Sequence, residues 1–341
     1  MKIRMKDIAE KANVSPATVS NVFNERGGVS ESTSRRVLSV AREIGYDFTK
    51  NSIIEKNYVR LVSFKRHGLV IMDTQFFAEI IDAMERRCHE SGLKMVISNI
   101  QMTKDDDYLE KVQEICEEEC AGILLLATEM SQQDLELFSC TKSPLVVVDS
   151  LFQNVNFNCV VMNNREAGYI ATEHLIKNGH TKIHHITSSV GLNNMKYRRL
   201  GYEDAMMNFG LQLESSSIWS VTPTLEGAYN DMLSLIENNK NSMPTAFFAA
   251  NDIIAVGCVR ALKDKGYKIP DDISIIGMDD MDICKITSPV LSTIRVFRAD
   301  IASTAVKRLL ELIKADSPSC ILKTQVGIEL VNRESVKNLN Q

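Results

Sequence analysis

Apolar residues recur at helical spacing over the first forty-odd positions, and the pattern then changes to alternating strands and helices. Ile8, Ala9 and Ala12 share one face of a short helix. Asn13 and Val14 turn the chain; Ser15 is a favourable N-cap, and Pro16 takes the first helical position, where its missing N–H costs nothing. Val19, Val22 and Phe23 follow at helical spacing and pack back on the first helix, which leaves Pro16, Ala17, Thr18, Ser20, Asn21 and Asn24 outward. After a loop over 25–28, Ser30 reads as the N-cap of a third helix, with Glu31 in a first turn where the helix dipole favours it. Its inward face is Val37, Val40, Ala41 and Ile44, with Arg35, Arg36 and Arg42 outward and Gly45 closing it. A second helix with a small, hydrogen-bonding outer face fits a major groove. Spacing alone equally allows an ordinary helical hairpin.

Residues 47–57 join this head to a body in which strands and helices alternate. Strands are predicted at 59–64, 69–72, 95–97, 122–126 and 145–148, with helices at 76–91 and 105–119 between them. The pattern then restarts, with helices at 165–178, 198–209, 224–237, 252–265 and 301–314 and strands at 183–186, 246–249 and 274–276. Such alternation implies parallel sheets covered on both faces, and the repetition implies two lobes with a cleft between them. Ligands in such sheets sit beyond the carboxyl ends of the strands.

The length of 341 residues supports two or three domains. No apolar run approaches the ~18 residues of a membrane span, and the charged start MKIRMKDIAEK has no signal-peptide core, so the expected location is the cytoplasm, with no membrane partner. The eight cysteines then read as reduced, mostly buried thiols. The net charge of −5 is uneven: residues 1–60 carry 11 Lys/Arg against 7 Asp/Glu, a net +4 that leaves −9 for the rest. A basic head on an acidic body suits a protein that lays one end on nucleic acid.

From Lys6 to Tyr46 the motifs D-I-A-x-x-A-x-V-S-x-A-T-V-S-x-V-x-N, V-S-x-x-T-x-x-R-V and G-Y run in order, and this stretch resembles the DNA-binding headpiece of the lactose-repressor (LacI/GalR) family of bacterial regulators. The resemblance extends along the body. It runs through F-F-A-E-I-I from Phe76, H-L-I-K-N-G-H-T-K-I from His174, R-R-L-G-Y from Arg198, A-N-D-I-I-A-V-G from Ala250, P-D-D-I-S-I-I-G-M-D-D from Pro270 and V-N-R-E-S from Val331. It implies an N-terminal all-α helix-turn-helix headpiece followed by a two-lobed α/β body like that of periplasmic sugar-binding proteins. The expected divisions are a headpiece over 1–48, a hinge over 49–57, an N-terminal lobe of 58–162 with 292–322, and a C-terminal lobe of 163–291 with 323–341.

By position in the family's recognition helix, Pro16, Ala17 and Asn21 would face base edges, while Ser15, Thr18 and Asn24 would hold phosphates. The family's hinge helix wedges a leucine into the minor groove. This chain departs from that pattern, with Phe48 in place of the usual proline and Glu55 where the leucine belongs, so Ile53 or Ile54 is the expected wedge unless the segment is an ordinary linker. The family's pocket residues fall on Phe76, Arg198, Asn251 and Asp279, with Asp149 a further candidate at a strand end. Phe77 reads as core, and Asp252 as the N-cap of the helix that follows it. A second departure is the longer segment K-R-H-G-L-V-I-M-D-T-Q before the F-F pair, which reshapes the edge of the pocket.

Other chemistry is weakly signalled. Cys116 and Cys120 lie one helical turn apart without a second pair at zinc spacing, and His180, His184 and His185 read as turn and strand surface. No phosphate-loop or G-x-S-x-G motif is present. The expected protein is not an enzyme and holds no cofactor or metal. It is a repressor that binds double-stranded operator DNA as a homodimer or a tetramer, and it answers to a small sugar-like effector. The alternatives are a family member governed by a protein partner or by no effector, and a solute-binding protein without DNA activity.

Overall fold

A computed structural model of the chain describes residues 5–23, 29–44, 58–71, 75–315 and 320–340. They fall into two units, divided between Asn57 and Tyr58.

The first unit holds α1 (Met5–Lys11), α2 (Pro16–Phe23) and α3 (Glu31–Glu43). Ile8, Ala9, Ala12, Val19, Val22, Val37 and Ala41 form its buried core, as the helical spacing predicts. The α1–α2 turn passes through Asn13 at φ 52°, a left-handed conformation that asparagine tolerates. Ser15 Oγ accepts the Thr18 N–H at 3.0 Å and Ser30 Oγ accepts that of Thr33 at 3.3 Å, so both N-caps are made.

The second unit is built on two six-stranded sheets. The first contains β1 (Tyr58–Lys65), β2 (Lys94–Gln101), β3 (Gly122–Leu126), β4 (Leu145–Val148), β5 (Asn158–Met162) and β11 (Lys323–Val326), in the order β11-β5-β4-β3-β1-β2. The second contains β6 (Ile183–Ser188), β7 (Ile218–Val221), β8 (Ala246–Ala249), β9 (Ser274–Asp279), β10 (Ser292–Val296) and β12 (Ile328–Val331), in the order β12-β10-β9-β8-β6-β7. All neighbours are parallel except β12, which runs antiparallel to β10. The helices are α4 (Gln75–Glu90), α5 (Tyr108–Glu117), α6 (Gln132–Glu136), α7 (Asn164–Lys177), α8 (Asn193–Asn208), α9 (Leu225–Asn238), α10 (Asp252–Asp264), α11 (Ile283–Ile286) and α12 (Arg298–Lys314). Central strands such as β3, Gly-Ile-Leu-Leu-Leu, are buried at every position, as expected of parallel strands covered on both faces.

Sheet pairing moves two of the expected lobe boundaries. Residues 292–296 were assigned to the N-terminal lobe, but β10 pairs with β9 from Ser292↔Ile276 to Arg295↔Asp279 and so belongs to the second sheet. Residues 323–326 were assigned to the C-terminal lobe, but β11 pairs with β5 from Lys323↔Cys159 to Val326↔Met162. The chain therefore crosses between lobes at 162–164, 296–298 and 326–328, and α12 packs on α4 and the first sheet. Residues 69–71, expected in a strand, form a bend instead.

The three histidines expected at the surface are buried. β6 is an inner strand of its sheet, and its successive residues His184 and His185, which point to opposite faces, are both buried, so both faces are covered. His185 stacks between Tyr202 and Phe248 with ring centres 5.5 and 4.8 Å away, and burial pushes it down to about 3. His184 packs edge-on to Trp219, and burial pushes it down to about 4. His180 bridges Thr245 Oγ1 and the Lys337 carbonyl at 3.1 Å each. All eight cysteines are free thiols, and Cys116 and Cys120 are core residues of the first lobe. No helix among the described residues is long and apolar enough to cross a membrane.

α7 and α8 approach so closely that each needs a glycine at the contact. A Cβ on Gly168 would sit 2.0 Å from the Arg198 carbonyl oxygen, and one on Gly201 would sit 1.9 Å from that of Arg165. Backbone cannot give way there as a flexible side chain could. Gly201→Ala is therefore expected to cost at least the ~1–3 kcal/mol typical of overpacking, read as a lower urea midpoint of the full chain. An unchanged midpoint would mean that the helices are free to slide apart.

Candidate nucleic-acid interface and ligand cleft

The outward face of α2 is small and polar. Ser15, Pro16 and Ala17 are exposed and Thr18 and Asn21 half-buried, while Val19 and Val22 point into the core. The Ser15 and Thr18 hydroxyls lie 2.8 Å apart, so one donates to the other and one hydroxyl hydrogen stays available. Asn24, Ile53 and Ile54, also named from the sequence, lie outside the described residues, as does Glu55.

In the body, the carboxyl ends of strands from both lobes converge on one cleft, with about 510 Å³ of free space counting its open mouth. The first lobe contributes Thr128 after β3, Asp149 after β4, Val70 from the loop after β1, and Phe76 and Phe77 from the start of α4. The second contributes Asn194, Met195 and Arg198 from α8, Asn251 after β8, and Asp279 at the end of β9. Phe76, Asp149, Arg198, Asn251 and Asp279, picked out separately in the sequence, thus line a single cavity. Phe77, expected in the core, lines it as well and meets Phe76 edge-to-face at 5.0 Å. Thr128 and Asn194 were missed. Asn194 lies one helical turn before Arg198, so helical phase could have found it.

Two local expectations change. The N-cap of α10 is Asn251, whose Oδ1 accepts the Ile254 N–H at 2.9 Å. Asp252 is the first helical residue and is fully buried; its carboxylate accepts from the Thr293 hydroxyl at 2.6 Å and the Met281 N–H at 2.9 Å. A Cβ on Gly277 would lie 2.2 Å from Asp252 Oδ1, which explains the glycine of the I-G-M-D run.

The guanidinium of Arg198 is buried and largely spent inside the protein. Nε donates to Asn164 Oδ1 at 2.9 Å and Nη1 to the Ala250 carbonyl at 2.5 Å, and Nη2 lies 3.3 Å from Met162 Sδ. Asp279 Oδ1 is 3.9 Å from Nη2, close enough for attraction but too far for a hydrogen bond. Asp149 Oδ2 accepts the Thr128 hydroxyl at 2.6 Å, and burial nevertheless raises this carboxyl to about 6. Burial raises Asp279 to about 8; Arg198 opposes the rise, and the charges of Asp252 and Asp149 add to it. Both sit in backbone conformations rare outside glycine, at φ 59° and 123°. Such strain persists only where surrounding structure enforces it, and it collects at functional sites.

The long segment after β1 has its own anchor. The buried Glu129 carboxylate accepts the N–H groups of His67, Gly68, Val70 and Ile71 at 3.1, 2.7, 2.9 and 3.1 Å. Burial raises Glu129, but these donors outweigh it and hold the carboxyl below its ordinary value. The loop is thereby fixed with Val70 in the cleft wall. Asp280, next to Asp279, is likewise raised by burial but held below its ordinary value overall by Arg333 and Arg295. That gives the arginine of the V-N-R-E-S motif a structural task.

Residues 4–47 match the family described as bacterial regulatory proteins, lacI family, and residues 172–336 match the periplasmic binding protein-like domain. The whole chain is similar to the HTH-type transcriptional repressor PurR of Actinobacillus pleuropneumoniae serotype 3 (strain JL03), 32% identical over 340 residues and covering 99% of each. The chain belongs to the lacI family. It is a DNA-binding transcriptional regulator. PurR of Haemophilus influenzae (strain PittEE) is 31% identical over 342 residues, covering 98% of this chain and 99% of that one. Two solved structures share the lacI-family fold. One is the lac repressor dimer bound to operator and the anti-inducer ONPF, with a TM-score of 0.75 at 21% identity, covering 99% of this chain and 100% of that one. The other is the complex of the regulator CelR with cellobiose, with a TM-score of 0.73 at 20% identity, covering 98% and 99%.

The Asp279 carboxyl lies at about 8 in the folded chain against an ordinary 3.8. The folded state therefore binds the extra proton between those values, and the stability this group contributes falls as pH rises toward about 8. Asp279→Asn should flatten the decline of the melting temperature between about pH 6.5 and 8.5, the histidines that also titrate near the lower end being common to variant and parent. Parallel curves for variant and parent would mean that the carboxyl is ionised throughout.

Proposed function

We propose that the protein represses transcription as a homodimer on a pseudo-palindromic operator, with a small polar effector in the interlobe cleft setting its affinity. The observation that carries this reading is the similarity to a transcriptional repressor over both units, from the three-helix head to the last strands of the body. One head reads only a few base pairs, whereas two heads on a two-fold axis read two half-sites.

In this reading α2 enters the major groove. Pro16 and Ala17 carry no side-chain donor, so they read apolar features such as thymine methyls, and Asn21 reads adenine through its amide. Ser15, Thr18 and Asn24 hold phosphates. Ile53 or Ile54 takes the place of the family's minor-groove leucine.

The effector acts by shifting the balance between lobe arrangements. Hydrogen bonds across the cleft offer the means: Gln75 Nε2 donates to Asp282 Oδ2 at 2.8 Å, and Asn194 Nδ2 donates to the Asp149 carbonyl at 2.8 Å. Phe76, Asp149, Arg198, Asn251 and Asp279 form the ligand's surroundings, with Arg198 holding the frame through its internal bonds. A change in lobe arrangement alters the spacing of the two hinge segments in the dimer, and with it the fit to paired half-sites. The location that suits this role is the cytoplasm.

The test is fluorescence anisotropy of the full-length protein on inverted repeats upstream of its neighbouring genes, with and without cleft ligands. Specific binding that a ligand alters supports the reading, and indifference to every inverted repeat overturns it. On such a site Asn21→Ala should lose roughly 1–3 kcal/mol of discrimination at one operator position. A loss spread evenly over all sequences would move Asn21 from the bases to the backbone.

A further inference from the structure

Three buried oxygens without a hydrogen-bond partner meet in the cleft: Asp149 Oδ1, Asn194 Oδ1 and Asp279 Oδ1. Their residues are 1%, 4% and 9% exposed. All three atoms can accept, Asp279 once a bound cation displaces the proton that its burial otherwise holds up to about 8. The Asn194 amide is oriented by its Nδ2, which donates to the Asp149 carbonyl, so its oxygen is the end left over. Few donors face them: the Asn251 amide nitrogen, whose oxygen caps α10, and Arg198 Nη2, which lies beside Met162 Sδ and 3.9 Å from Asp279 Oδ1. The Thr128 hydroxyl is given to Asp149 Oδ2, and Arg198 donates to Asn164 and Ala250.

The ionisable residues lining the cleft are Asp149, Asp279 and Arg198, two acids against one base. A buried acceptor left without a donor is costly, and a ligand that brings the donor removes that cost. A hydroxyl brings an acceptor along with its donor, and this cleft has few donors to meet it. An ammonium brings three donors, no acceptor and a positive charge. A carboxylate or phosphate would add acceptors to a surface already rich in them. The remaining wall, with Val70, Phe76, Leu192, Ile253 and Met281, is apolar and suits a compact ring body.

We propose that the cleft takes a small organic cation, a primary amine on a compact ring body, whose ammonium donates to Asp149, Asp279 and Asn194. This rests on the cleft being the effector site of the preceding reading and narrows the class of effector it admits. Glucose-like neutral compounds rank below their amino counterparts, and acids are excluded.

The experiment is calorimetry of the full-length protein with two matched series: glucosamine, glucose and glucuronate on a sugar ring, and benzylamine, benzyl alcohol and benzoate on an aromatic one. In at least one series the amine is expected to bind at least tenfold more tightly than the alcohol, with no detectable binding of the acid. The preference should disappear in Asp149→Asn and Asp279→Asn, whose amides keep the size of the side chain and remove its charge. The proposal is overturned if a neutral or acidic member binds as well as the amine, if the preference survives both substitutions, or if no member of either series binds. Should a variant fail to fold, the selectivity of the unmodified protein decides alone. Parallel operator titrations separate the two readings. A neutral sugar that binds and changes operator affinity leaves the effector reading standing and removes this one. An amine that binds without changing operator affinity does the reverse.

Discussion

The buried guanidinium of Arg198 is the point through which the two lobes of the body share one charge. It reaches Met162 at the end of the first sheet, Asn164 at the start of the second lobe, the Ala250 carbonyl beyond β8, and the field of Asp279 beyond β9. A buried cation persists only when it is paired and hydrogen-bonded, so these partners and the arginine fix one another. The backbone contact at Gly168 and Gly201 comes before this. Without it α8 would stand further from α7, and the guanidinium would not reach Asn164 and Met162 from where it stands. The motif R-R-L-G-Y is therefore one mechanical unit, in which the glycine sets the distance and the arginine uses it.

The head and the lobe count were legible because both are written in local periodicity. A three-helix core reads directly from Ile8, Ala9, Ala12, Val19, Val22, Val37 and Ala41, and caps such as Ser15 and Ser30 are properties of single residues. The resemblance to a known family then brought four dispersed side chains to one cavity, which no spacing rule would have done, and a strand end added Asp149. Sheet membership was less legible. β10, Ser-Thr-Ile-Arg-Val, and β11, Lys-Thr-Gln-Val, are short strands whose lobe depends on which partner they pair with, and pairing is a long-range property. The histidines misled for a related reason: a polar residue on a strand reads as surface until the strand is known to be covered on both faces. Asn251 took the cap expected of Asp252 because adjacent cap-forming residues compete for the same position and sequence offers no means to rank them.

The longer loop before the F-F pair illustrates how a departure from a family pattern is absorbed. Extra backbone near a cleft brings N–H groups that need acceptors, and Glu129 supplies them with one carboxylate. The carboxylate in turn escapes the cost of burial, because four donors converge on it. Loop and acid thus solve each other's problem, and Val70 is delivered to the cleft wall as a by-product. Neither half is intelligible alone, which is why the loop was visible in the sequence as an oddity while its anchor was not.

An effector can move a two-state protein only by binding one state better than the other. The unpartnered acceptors in the cleft come from different lobes, Asp149 from the first and Asn194 and Asp279 from the second. A donor-rich ligand satisfies all three only in an arrangement that brings these residues together, so the same chemistry that gives selectivity also gives preference for one arrangement. A ligand held by a single lobe would bind both arrangements alike and, however tight, would shift nothing. Division of the acceptors between the lobes is thus what would convert occupancy of the cleft into a change of shape, and the rigid frame around Arg198 keeps that change a displacement of whole lobes rather than a local adjustment of side chains.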